Sequence, residues 1–425
     1  MTDLPDLATW VRDHAFTAET LDPSAPLDDL EPLRALVGDA RVVAIGESSH
    51  LVKEFYLFRH RMLRFLAERC GFTVLAFEAP FTEAHAVDSY VRGGPGTAAA
   101  VAAEGIAMGL GDCAEMHDLL DWMREYNRTA AVPLGFAGLD VPGSLGSPLP
   151  ALHVLDGYVR WAEPDALGLV ERATELAGRF HGGGIAPMEY YSGLPQADRD
   201  ELTVLLSRLL SRVEIAAAAG RGGERRREHS SALHHLRGAW KLDHAHREIA
   251  EYGIESASST RDAFLAESVL RLLDEGGPDT RVVVACHNWH IQRTEVEQEG
   301  PYVMRPQGNH LAAELGNDYV AIGVTSGTGD TGYFHGAPET PLGFEFRAMP
   351  LPPPEKNSIE AAFDTRHPLA VADLRAARGA VRDGDSVRGM RMVEYFLDLP
   401  VMAAFDAVAH VAQTHRATPG APAPG

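Results

Sequence analysis

Four short apolar runs constrain this chain more than any other feature: RVVAIG (41–46), TVLAF (73–77), PLGFAGL (133–139) and RVVVAC (281–286). Each is continuous rather than alternating, built from β-branched or small residues, and of strand length. A strand buried on both faces by covering helices reads this way. The pattern predicts an α/β fold with a mostly parallel central sheet flanked by helices. Each run also ends in residues capable of acid–base chemistry. These are Glu47 and His50, Glu78, Asp140, and His287 with His290. In open α/β sheets a ligand sits beyond the carboxyl ends of the strands. Four such endings therefore predict one polar site, and an enzyme.

Between the first two runs, Leu51, Phe55, Phe58, Met62, Phe65 and Leu66 recur at helical spacing until Gly71. That makes a βαβ unit with parallel strands. The turn-rich GSLGSPLP (143–150) marks a boundary, beyond which strand signal fades. Helical patterns at about 150–180, 197–219, 228–252 and 259–275, separated in part by Gly182–Gly184 and Gly220–Gly223, predict a helical subdomain at 146–275. It is inserted into a core of 1–145 and 276–415. YVAIGVTSG (319–327) reads as a further core strand, and GYFHG and GFEFRA as antiparallel edge strands. Residues 416–425 are expected to be disordered.

The formal net charge of −22, from 38 basic and 60 acidic residues, argues against nucleic acid or anionic lipid as a partner. A small-molecule substrate fits better. Three cysteines without C-x-x-C spacing fit a reducing cytosol. No apolar stretch has transmembrane length and the N-terminus lacks a signal-peptide core, so a cytoplasmic location is expected.

At the first strand end, Gly46 permits a sharp turn, and Glu47 and His50, three apart, can face one pocket. His50 is placed at a helix start, whose dipole favours the neutral ring a general base needs. Glu78 directly follows an apolar strand and requires a partner, because unpaired buried charge is costly. Arg59, His50 and the 287/290 histidines are the candidates. Asp140 can orient a histidine ring. Asn288 can cap a helix, and Cys286 is either a buried strand end or a nucleophile. There is no G-x-S-x-G elbow, H-E-x-x-H or glycine-rich phosphate loop. In the helical stretch, Tyr190, Tyr191 and Trp240 suit a large apolar ligand.

Taken together, these motifs resemble those of the erythromycin esterase family: G-E-x-x-H, E-F with a downstream R, a G-F strand ending in E, G-x-D, R-D-x-x-x-A and H-N-x-H. They stand here as Gly46–His50, Glu54 and Phe55 with Arg59, Gly71–Glu78, Gly138–Asp140, Arg261–Ala266 and His287–His290, in order across residues 40–325. The resemblance implies an α/β core with a helical domain over a cleft, and hydrolysis of a macrolide lactone by water. It implies His50 as general base, Glu47 and Glu78 positioning it and the water, and Arg59 and His287 as further essential pocket residues. His290, Asp140, Glu54, Tyr190 and Tyr191 make up the expected substrate-binding set. No metal and no cofactor is implied. One departure is Leu51, where the family pattern has glycine after the motif histidine.

Other functions use the same residues. A natural-product tailoring enzyme would use the base for cyclisation, elimination or epimerisation, in biosynthesis rather than antibiotic resistance. A metal-dependent hydrolase would take His50, Glu78, His287 and His290 as ligands. A non-enzymatic binding protein would use the cluster for recognition alone.

Overall fold

The computed structural model describes residues 4–182, 184, 186–216, 223–253, 258–297 and 303–420. The predicted separators at 183 and 220–222, and tail residues 421–425, lie outside them. Nine strands form the main sheet: β1 (Phe16–Ala18), β2 (Val42–Ile45), β3 (Val74–Pro80), β4 (Gly135–Asp140), β5 (Val282–Ala285), β6 (Tyr319–Gly336), β7 (Phe344–Pro350), β8 (Leu369–Asp373) and β9 (Ala407–Thr414). Their order is β1-β8-β9-β6-β2-β5-β3-β4, with β7 paired to β6 off this path. From β9 to β4 every pairing is parallel. β1, β8 and β7 join antiparallel, the last through GYFHG and GFEFRA as expected.

The continuous apolar runs are explained by burial on both faces. Val43 and Ile45 pack with Phe58, Met62 and Phe65 of α1 (Lys53–Cys70) on one side. Val42 and Ala44 pack with Leu265 and Val269 on the other. Alternate residues of one strand thus enter different cores, each fully buried large side chain contributing about 1.5–3 kcal/mol. α1 ends at Gly71, in the left-handed conformation that closes helices.

Between β4 and β5 lie Leu149–Ala162, Leu167–Ala177, Ala186–Ser192, Gln196–Ala216, Gly223–Tyr252 and Ser258–Gly276. The first five contribute to a separate apolar core containing Leu152, Tyr191, Leu206 and Leu236. Ser258–Gly276 differs: its Leu265 and Val269 pack in the core beside the sheet. Among the described residues no helix is long and apolar enough to cross a membrane. The expectation of disorder from 416 onward is corrected for 416–420. Arg416 bridges Val52, and Pro419 bridges Cys113, so this segment is tied down by backbone pairing.

One glycine holds the sheet's functional edge together. Gly46 N–H continues the ladder to Ile322 O (2.9 Å). A Cβ on it would lie 1.9 Å from Asn288 Oδ1. Asn288 does not cap a helix as expected; it pairs with both backbone groups of Val324, at 2.9 and 2.8 Å. Gly46→Ala would expel that amide and strand two buried backbone groups. It should destabilise the protein by about 2 kcal/mol or more. An unchanged urea midpoint would refute this account.

Candidate active site

The parallel register brings the ends of β2, β5, β3 and β4 to one edge in that spatial order. Glu47 follows β2, His287 follows β5 by one residue, Glu78 lies near the end of β3, and Asp140 ends β4. All are buried. Carboxylates so placed need cations, and two arginines from outside the sheet supply them.

Arg59 comes from α1. Its Nη2 donates to Cys286 O (2.6 Å) and Ile45 O (3.2 Å), fixing it under β2 and β5. Its Nη1 lies 2.8 Å from Glu47 Oε2, as a close ion pair rather than an aligned hydrogen bond. The other oxygen of Glu47 is 2.7 Å from His50 Nδ1. Burial alone would raise the Glu47 carboxyl, but Arg59, His50 and His287 outweigh it and hold it below the usual carboxylate range. His50 is not in the first turn of a helix, since α1 begins at Lys53. Its orientation comes from Glu47 instead.

Arg261, on Ser258–Gly276, is the second cation. It makes a fork to Asp140, with Nε to Oδ1 at 2.9 Å and Nη2 to Oδ2 at 2.6 Å, and reaches Glu78 Oε1 at 3.1 Å. Glu78 Oε2 accepts from His287 N–H (2.8 Å). Burial opposes ionisation of Glu78, yet His290, His50 and Arg261 hold its carboxyl well below the ordinary value. Asp140 therefore orients an arginine rather than a histidine.

The two downstream histidines differ sharply. His290 Nδ1 lies 2.8 Å from Asp262 Oδ1, and its Nε2 lies 3.3 Å from Glu78 Oε1. Burial pulls its pKa down, but the two carboxylates push it up to about 10, so the ring is a cation. His287 caps the short helix Asn288–Ile291, its Nδ1 accepting from Trp289 N–H at 3.2 Å. Burial, then the neighbouring His50, lower it to about 3. A neutral ring that accepts at Nδ1 carries its proton on Nε2, which makes it a donor. The rings of His50 and His287 are 5.2 Å apart at 60°.

This site gathers Glu47, His50, Arg59, Glu78, Asp140, His287 and His290 from across the chain. It does not include three expected residues. Tyr191 is fully buried in the helical core with its hydroxyl on Asp243 Oδ1 (2.7 Å). Alanine there would cost packing rather than substrate affinity. Tyr190 is half-exposed. Glu54 accepts from His415 N–H (2.7 Å) and pairs with its ring, bracing the C-terminal segment. Two residues were missed in role. Arg261 and Asp262 stand in the R-D-x-x-x-A motif, but neither is among the expected site residues. Cys286 is buried and its thiol is pushed well above the usual range by burial and by Glu78, which removes it as a nucleophile.

A metal fits these residues poorly. Both ring nitrogens of His290 face carboxylates and Nδ1 of His287 is occupied, and among the described residues no three His, Cys, Asp or Glu side chains are arranged to hold an ion.

Histidine protonation is directly measurable. In ¹⁵N-resolved NMR spectra His287 should stay neutral from pH 5 to 8, while His290 stays cationic throughout that range. Because the folded pKa of His290 is raised, its stabilisation is complete below the unfolded value of about 6.5 and is lost as pH climbs through 10. Asp262→Asn should lower the His290 pKa by more than about one unit. A His290 that titrates near 6.5 in the native protein would refute the assignment.

The erythromycin esterase family matches residues 67–414, a stretch that begins after Gly46–His50. The erythromycin esterase type II of Escherichia coli is 30% identical over 367 residues, covering 83% of this chain and 85% of that protein. The type I enzyme of Escherichia coli is 24% identical over 351 residues, covering 81% and 85%. A solved erythromycin esterase mutant, EreC in its open conformation, superposes with a TM-score of 0.81 at 23% identity, covering 95% of this chain and 98% of that one. With the family matched over most of its length, the chain belongs to the erythromycin esterase family of hydrolases.

Proposed function

We propose that this protein hydrolyses an ester or macrolactone with water activated by His50. The observation that carries the proposal is the 2.7 Å contact between His50 Nδ1 and Glu47 Oε1. A carboxylate on Nδ1 holds the proton there and leaves Nε2 as the free base. The His50 side chain keeps 16% of its surface open, against 3% for Glu47 and 4% for Arg59. It is thus the reachable end of a buried relay.

Charge balance supports the same role. The carboxylates of Glu47, Glu78, Asp140 and Asp262 face the cations Arg59, Arg261 and His290. The cluster is short of one positive charge while His50 is neutral. Proton uptake by His50 removes the deficit at the moment water becomes a nucleophile. Water oxygen then bonds to the substrate carbonyl carbon, and its proton passes to His50 Nε2. The carbonyl becomes an oxyanion that the Nε2–H of His287 can stabilise. Collapse breaks the acyl C–O bond, and His50 returns its proton to the leaving alkoxide. The products are a carboxylic acid and an alcohol. A cytoplasmic, metal-independent enzyme acting on a macrolide-like substrate, with the helical insertion as one wall of its cleft, is the fuller form of this reading.

Incubation with erythromycin and a panel of other lactones, followed by mass spectrometry, tests it. One substrate should gain the mass of water, with ¹⁸O from labelled solvent in the new carboxylate. His50→Gln should reduce turnover by about 10²–10⁴-fold while leaving the melting temperature almost unchanged. A product of unchanged mass would favour a tailoring reaction instead. Activity lost with chelator and restored by a metal would contradict the mechanism.

A further inference from the structure

Beside the catalytic cluster lies a cleft of about 560 Å³ that none of its residues lines. Its walls come from five stretches of chain outside the parallel strands. Their apolar members include Ile106 and Met108, Pro150, and Leu342 and Phe344 of the β6–β7 hairpin. Phe344 packs on Phe334 (4.9 Å between rings), which stands 6.2 Å from His50. The cleft is therefore two aromatic rings from the proposed base.

Its charge is one-sided. Glu83 and Asp112 are its ionisable lining residues, and among the described residues no Lys, Arg or His lines it. Glu83 Oε1 accepts from Gly143 N–H (2.9 Å), while Oε2 is shielded from solvent and has no protein partner. Every carboxylate of the catalytic cluster has a cation, and Glu83 has none. Burial, and then nearby Asp140, raise its carboxyl to about 7. Burial raises Asp112 too, against the opposing pull of His117. A divalent ion is a poor occupant of a space with apolar walls and no arrangement of three oxygen ligands among the described residues. A protonated organic amine attached to an apolar body satisfies both features.

We propose that this cleft is a recognition subsite for a basic amine on an otherwise apolar substrate, with Glu83 as its counter-charge and Asp112 as secondary support. The proposal deepens the hydrolase reading and rests on it for the nature of the bound molecule. Glu83 is a specificity residue here and takes no part in bond breaking.

Calorimetric titration with two probes tests the subsite: erythromycin, which carries a tertiary amine, and its N-demethyl-N-acetyl derivative, in which that nitrogen is a neutral amide. Titrations use a His50→Asn background so that turnover does not interfere. The amine should bind at least about tenfold more tightly than the amide, the scale of one charge-assisted contact. Glu83→Gln should cut that advantage to about threefold or less without changing amide affinity, and Asp112→Asn should cut it by a smaller factor. Melting curves check that each variant is folded. Equal affinity for the two probes, no binding of either, or an undiminished preference in folded Glu83→Gln would overturn the proposal. Turnover is read separately by mass in the His50-intact protein. An amine preference without cleavage of either macrolide would leave the subsite standing and remove the hydrolase reading. Equal cleavage and equal binding would do the reverse.

Discussion

Carboxylates buried at one sheet edge cannot all ionise without cations, and this protein imports both arginines from outside the sheet. Arg261 is the more consequential. Its fork on Asp140 and third contact on Glu78 join β4 to β3, and Glu78 in turn receives His287 N–H beyond β5. Removing one member of such a set leaves an unpaired buried charge, which costs about 3–5 kcal/mol. The helix carrying Arg261 is thus held to the sheet by the charges of the site as well as by Leu265 and Val269.

The sheet was legible because strands buried on both faces cannot hide their pattern. All four opening runs became adjacent parallel strands in the main sheet. The site was legible for a related reason: parallel strands deliver their C-termini to one side, so Glu47 and His290, 243 positions apart, both act electrostatically on His287. What differed was the end of the helical stretch. Helical periodicity identifies an apolar face but not its partner, so Ser258–Gly276 read as insertion although its apolar face belongs to the sheet. Tyr191 looked like a ligand wall for the same reason; aromatic content does not distinguish a cleft from a core.

The turn carrying His50 shows what one departure from the family pattern entails. Leu51 has φ +53°, in the region that costs a side-chain-bearing residue about 1–2 kcal/mol. Its side chain is buried in the main core, which offsets that cost. The backbone around it is braced from several directions. Ser49 Oγ donates to Gly332 O (2.8 Å), Val393 N–H to Ser48 O (2.8 Å) and Ala417 N–H to Leu51 O (2.8 Å). The ordering of residues 416–420 follows from this, since they complete the hydrogen bonding of a strained loop whose rigidity keeps His50 aimed at Glu47.

Charge compensation distinguishes the strand-end cluster from the neighbouring cleft. Glu47, Glu78 and Asp140 are satisfied internally by Arg59, Arg261 and His290, so their geometry is independent of what is bound. In the proposed reaction, such preorganisation would let His50 change charge without reorganising its surroundings. Glu83 is held only by a backbone N–H and remains short of a cation. The cleft walls also come from loops, helix ends and a hairpin, all outside the parallel strands and able to vary without disturbing their register. On the proposed roles, a fold built this way would keep one reaction at the strand ends while its choice of substrate followed whichever charges the surrounding segments leave uncompensated.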